Sequence, residues 1–233
     1  MQSNSKTAWS LPLTISVSPL PSHLQHFLIV AASYGSLARF PDVKRLRTFA
    51  GTSVIGFGGD VSDMQYLDRF LQSLDIRENY ASKGHTLNAK NLHTLLAKIM
   101  YKRRTDFDPL WNNLLVAGLD DQGKPFLSFA DLLGTRYSAP TLATGFGAHL
   151  AQPLLRKLVP EDEASVKDVT REQAVEAVRA CMKVLFYRDA RSLDRYSIAV
   201  VTKEGVELKE DEKLEDQSWA FADLIKGYGT QTN

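Results

Sequence analysis

The chain has 233 residues, with 28 Lys+Arg against 27 Asp+Glu and a formal net charge of +1. That balance excludes the strong basic field that draws in nucleic acid or an anionic membrane, while the length allows one large domain with a sizeable core. The single cysteine, Cys181, excludes a disulfide framework and a cysteine zinc cluster, and no apolar run reaches the roughly 18 residues that a spanning helix needs.

Residues 1–28 are rich in Ser, Pro and Gln and carry only Lys6 as a charge, so they read as an atypical, disordered leader without a clean signal-peptide pattern. The domain is expected over 29–233. Stretches 43–49 and 52–57 have the β-branched and apolar content of two strands, after which Gly58-Gly59 breaks the pattern. Ser62 and Gln65 form a capping-box pair for a helix with Met64, Leu67, Phe70, Leu71 and Leu74 on its inner face. A second helix is expected over about 88–103, its apolar stripe being Leu92, Leu95, Leu96, Ile99 and Met100. Lys102-Arg103-Arg104 then lie where cations meet the negative end of the helix dipole, which favours a solvated face over a phosphate site.

A hairpin follows, with 114–118 and 125–129 flanking the turn residues 120–123, and then a strand over about 136–142. A helix over 148–158 contains Pro153, tolerable only near a first turn or at a kink. After the polar linker 159–168, Thr170 and Gln173 cap a helix that buries Ala174, Val178, Cys181, Met182 and Leu185. A hairpin of 196–201 and 206–208, an acidic loop at 209–216 and a short helix at 219–226 complete the chain. Segregated helix pairs and hairpins predict an α+β fold with helices on the outer faces of two sheets.

Familiar catalytic signatures are absent. Gly56-Phe57-Gly58-Gly59 lacks the rest of a dinucleotide or P-loop motif, and there is no Gly-x-Ser-x-Gly elbow. The five histidines (His23, His26, His85, His93 and His149) show no ligand spacing, so no metal or cofactor is expected. Gly51-Thr52 is the one provocative dipeptide, because self-cleaving threonine proteases cut there to expose their nucleophile.

SYGSLARF (33–40), GFGGDVSDMQYLDR (56–69), DPLWNN (108–113), ATGFGAHLAQPLLR (143–156) and LFYRDARSLDRY (185–196) together resemble proteasome beta subunits, in particular the non-proteolytic beta type-4 group at the seventh position of the beta ring. The resemblance covers about 29–233 and stops abruptly near Ile29. It implies a four-layer helix–sheet–sheet–helix sandwich of the N-terminal nucleophile hydrolase type. The family's first β-hairpin, which carries the threonine and aspartate of catalytic members, reads as missing here, through either a misread first exon or a genuine variant.

The resemblance further implies a non-catalytic beta subunit of the 20S core. It would assemble with other beta and alpha subunits in a hetero-oligomeric ring stack, serve ATP- and ubiquitin-dependent protein degradation, and reside in cytoplasm and nucleus. It implies no nucleic-acid or membrane partner. Gly58, Gly59, Asp60, Gly145, Gly147, Asp189 and Ser192 fall on family-motif positions and are expected to be structural. The alignment places Arg45 at the register of the catalytic lysine, where a permanently charged guanidinium cannot exchange a proton. Gly227–Asn233 is the counterpart of the family's C-terminal contact tail.

Two alternatives stand beside this reading. In one, Thr52 is an active nucleophile, since Asp68 and Lys83 lie near the family's spacings from it. The local pattern opposes that: Thr52 reads as a strand residue, Asp68 as a solvated helix residue, and cleavage would sever 43–49 from the domain. In the other, the chain is truncated and never enters the ring.

Overall fold

A computed structural model describes residues 15–17, 32–34, 37–40, 42–81, 87–159, 169–215 and 217–225. Its center is a five-stranded antiparallel sheet of β4 (Leu46–Phe49), β5 (Ser53–Gly59), β6 (Asn112–Leu119), β7 (Pro125–Ala130) and β8 (Arg136–Ser138), in that order. Two-stranded pairs join β1 (Ile15–Val17) to β9 (Thr141–Ala143), β2 (Ala32–Tyr34) to β3 (Leu37–Phe40), and β10 (Arg195–Thr202) to β11 (Gly205–Lys213). The helices are α1 (Val61–Ala81), α2 (Ala89–Thr105), α3 (Gly147–Leu150), α4 (Gln152–Leu158) and α5 (Arg171–Arg188), followed by a 3-10 turn at Ala220–Leu224. Among the described residues, no helix is long and apolar enough to cross a membrane.

Three apolar clusters hold these elements. Met64, Leu67 and Leu71 of α1 and Leu92, Leu96 and Met100 of α2 pack on Ile55, Phe57, Leu114 and Val116 of the central sheet. The alternate residues Val54, Leu115 and Ala117 point the other way, onto Leu142, Ala199 and Val201 of β9 and β10. Ile198 and Val200 of β10 in turn face Leu155 of α4 and Val178, Cys181, Met182 and Leu185 of α5. The period of two along a strand is what lets β5, β6 and β10 each serve two clusters. The helix faces read from periodicity are thus the inner ones, with Phe70, Leu74, Leu95 and Ile99 half-buried at their margins, and α5 has the expected capping box of Thr170 with Gln173.

Other expectations need correction. Gly58-Gly59 do not end the strand but form its last two residues. Thr52 is not in a strand. It lies exposed in the β4–β5 turn, its amide donating to the Phe49 carbonyl at 3.2 Å, while Ala50 and Gly51 take φ of 51° and 66°. The stretch 136–142 divides into β8 and β9 of different sheets, separated by Ala139-Pro140, because proline has no amide for the ladder. The helix at 148–158 is likewise two pieces meeting at Ala151, with Pro153 in the first turn of the second. β11 runs on to Lys213, absorbing most of the expected acidic loop. The leader reading lies outside the described residues apart from Ile15–Val17, which form a strand. Lys83, His85, His23, His26, 160–168 and the tail 227–233 also lie outside them.

Candidate functional site

The glycine corner at the end of β5 leaves little room for a side chain. A Cβ on Gly58 would sit 1.7 Å from Asn113 Oδ1. Gly59 has φ of 93°, and a Cβ there would sit 2.0 Å from the Trp111 carbonyl oxygen. Only glycine enters that left-handed region without strain. The adjoining start of β6 locks the corner: Asn112 Nδ2 donates to the Gly58 and Asp60 carbonyls at 2.8 and 2.9 Å, and the Asp60 amide donates to the Trp111 carbonyl at 2.8 Å.

Asp60 opens α1. Its carboxylate accepts the Asp63 amide at 3.0 Å and the Ser62 hydroxyl, so the cap is Asp60 rather than the expected Ser62–Gln65 pair. A carboxylate satisfies an orphan amide and the positive helix end together. Asp63 in turn accepts the Trp111 amide at 2.9 Å.

Arg45 enters this corner from the chain just before β4. It is 1% exposed, and Nη1 donates to the Gly59 carbonyl at 3.0 Å. Burial lowers its pKa to about 10, against the opposing pull of Asp60, so the guanidinium remains charged at neutral pH. The site therefore holds a fixed cation on a glycine carbonyl, with no capacity to accept a proton.

The remaining candidate residues occupy other places. Asp68 is tied to Arg47 Nε at 3.0 Å and is half-buried, which corrects its reading as a solvated helix residue. Gly145 has φ of 60°, and the Gly147 amide donates to Thr144 at 3.1 Å in the turn that leads into α3. Asp189 closes α5. It is buried, its Oδ1 accepts the Arg191 amide at 3.0 Å, and its carbonyl accepts the Ser192 amide and hydroxyl at 3.1 and 2.7 Å. The Ser192 hydroxyl also lies 3.2 Å from the Leu185 carbonyl, so this pair caps a helix C-terminus. Cys181 is buried, with its thiol pushed up to about 12 by desolvation. Among the described residues no cluster of His, Cys, Asp and Glu could hold a metal ion.

Comparison with known proteins places the chain. The family model described as proteasome subunit matches residues 24–201. The chain belongs to the proteasome subunit family. It is 48% identical over 202 residues to "Probable proteasome subunit beta type-7" of Schizosaccharomyces pombe, covering 86% of this chain and 76% of that protein. It is 42% identical to "Proteasome subunit beta type-7" of Saccharomyces cerevisiae, covering 94% of this chain and 86% of that protein. With "Proteasome subunit beta type-4" of Xenopus laevis the identity is 41%, covering 93% and 89%.

These proteasome relatives correct the span of the resemblance. The budding-yeast alignment leaves only 6% of 233 residues uncovered, about 14, so it runs back well before Ile29. Sequence reasoning missed two polar partners of the corner, Asn112 and Asp63. The signal available was DPLWNN itself: an asparagine opening a strand is poor β-former chemistry unless its amide is used.

Proposed function

We propose that this chain is a structural beta subunit of the 20S proteasome core that carries no nucleophile of its own. It would take a place in the beta ring of a hetero-oligomeric stack, in cytoplasm and nucleus, and help close the chamber in which other subunits degrade protein. The observation that carries the reading is Arg45. At the register where the resemblance expects a proton-exchanging lysine stands a buried guanidinium held on the Gly59 carbonyl. Thr52 supports it by lying exposed in a turn, and Asp68 by pairing with Arg47. Threonine catalysis needs a free α-amine, a hydroxyl and a tuned lysine within reach of one another.

The three nested apolar clusters favor the four-layer sandwich that the family resemblance implies. The β1–β9 pairing favors a first strand supplied by residues of the expected leader.

The test is to treat purified particles containing this chain with a threonine-directed epoxyketone and to map its N-terminal peptides. The expected result is labelling of other subunits and none on this chain. A labelled chain beginning at Thr52 would restore the enzyme reading, and absence of the chain from 20S particles would favor the truncated one.

A further inference from the structure

Arg136 opens β8, the outermost strand of the central sheet, which among the described residues has a hydrogen-bonded neighbour on one side alone. All three residues of β8 are exposed. Between this edge and α2 run two adjoining cavities of about 270 and 250 Å³ that share Arg136. Lys90 lines one and Lys98 the other. The result is a continuous groove with three cations along it.

The polar groups between those cations are already engaged within the chain. Thr94 Oγ1 donates to the Lys90 carbonyl at 2.9 Å, Ser128 Oγ to the Tyr137 carbonyl at 2.9 Å, and Ser138 Oγ to Ser128 Oγ at 3.1 Å. His93 is buried in the wall, its Nε2 bonded to the Phe129 carbonyl at 2.9 Å, and burial lowers its pKa toward the neutral form. The turn carboxylate nearest in sequence, Asp131, accepts the amides of Leu133 and Thr135. Lys90, Lys98 and Arg136 form no ion pair among the described residues. By contrast Lys44, Arg47, Lys102, Arg103 and Arg171 each meet a carboxylate.

We propose that this groove receives an extended acidic segment of an adjoining proteasome subunit, its carboxylates meeting Lys90, Lys98 and Arg136 and its backbone running along the open edge of β8. Two independent features call for the same occupant. Uncompensated positive charge selects carboxylates, and an unpaired sheet edge selects an extended chain whose amides and carbonyls it can pair. The ring wall formed by Phe126 and His93, with centroids 5.6 Å apart, supplies apolar contact for the stem of the segment. The proposal rests on the chain being a ring subunit.

The experiment uses intact 20S particles that carry the chain. A water-soluble carbodiimide joins a lysine amine to a touching carboxylate as an amide, with loss of water, and peptide mass spectrometry locates the product. The expected result is Lys90 or Lys98 joined to an Asp or Glu of another subunit, with loss of acetylation at both lysines in the particle and its return after unfolding in urea. In competition with the wild-type chain, the triple variant Lys90→Glu, Lys98→Glu, Arg136→Glu should enter particles roughly tenfold less, because juxtaposed like charges suppress pairing. Free acetylation without cross-links, in particles that do contain the chain, would overturn the groove alone. So would a cross-link to a carboxylate of this same chain. Absence of the chain from particles would overturn both the groove and the subunit reading.

Discussion

Arg45 and Arg136 both border the central sheet, and their surroundings are opposite. Arg45 is 1% exposed and bonded to the Gly59 carbonyl, in a corner closed by backbone, Asn112 and Asp60. Arg136 is exposed in a groove whose hydroxyls are engaged and whose charge is not. The contrast teaches where each region's interactions point. A buried ion costs several kcal/mol to desolvate and so must be satisfied from within. An exposed cation is stabilized by water and remains available to a partner.

The sharpest way to break the first half of this comparison is Gly59→Ala. Its Cβ would meet the Trp111 carbonyl at 2.0 Å in a left-handed backbone. A loss of about 4 kcal/mol is expected, read as failure of the variant to accumulate in thermally stable particles. Arg45→Ala comes next, with a loss of about 3 kcal/mol in denaturant titration, because it strands the Gly59 carbonyl and removes a buried partner of Asp60. Arg45→Lys should bring no epoxyketone labelling; a labelled lysine variant would show that one side chain alone silences the site. Asp60→Ala removes the α1 cap and should cost about 1 kcal/mol.

The groove gives a smaller effect, through His93. Its folded pKa is lowered first by burial and, among the other contributions, by Arg136. An unfolded chain then binds the proton more readily, so this contribution to stability is present above the ordinary value of 6.5 and is lost as pH falls from there toward the folded pKa. His93→Gln should flatten part of that acid limb, and Arg136→Gln should move the imidazole titration upward in an NMR pH series. Least of all, Thr52→Ala should change stability by no more than about 0.5 kcal/mol and leave peptidase activity intact, since the side chain is exposed in a turn.

Much of this was legible in the chain. The stripes Leu92, Leu96, Met100 and Val178, Cys181, Leu185 are buried because apolar periodicity states directly which helix face leaves water. The differences arise partly where a residue's partner is distant in sequence and partly where two local arrangements compete. Asp68 read as solvated because Arg47 lies 21 residues away on another element. Asp60 caps α1 through the Asp63 amide, in competition with the equally local Ser62–Gln65 pair. Thr52 sat in apolar company but fell one residue outside the strand, where the turn needs Ala50 and Gly51 at positive φ.

By itself the sequence determined the α+β class, the inner faces of its helices and, through motifs such as ATGFGAHLAQPLLR, the family. These follow from local periodicity and ordered residue identities, which need no coordinates. Only the tertiary structure decided that Arg45 is buried on a glycine carbonyl, that Asp189 and Ser192 close a helix end, and that Lys90, Lys98 and Arg136 share one groove. Burial and charge compensation depend on which distant segments meet, and that is set by the packing of whole elements.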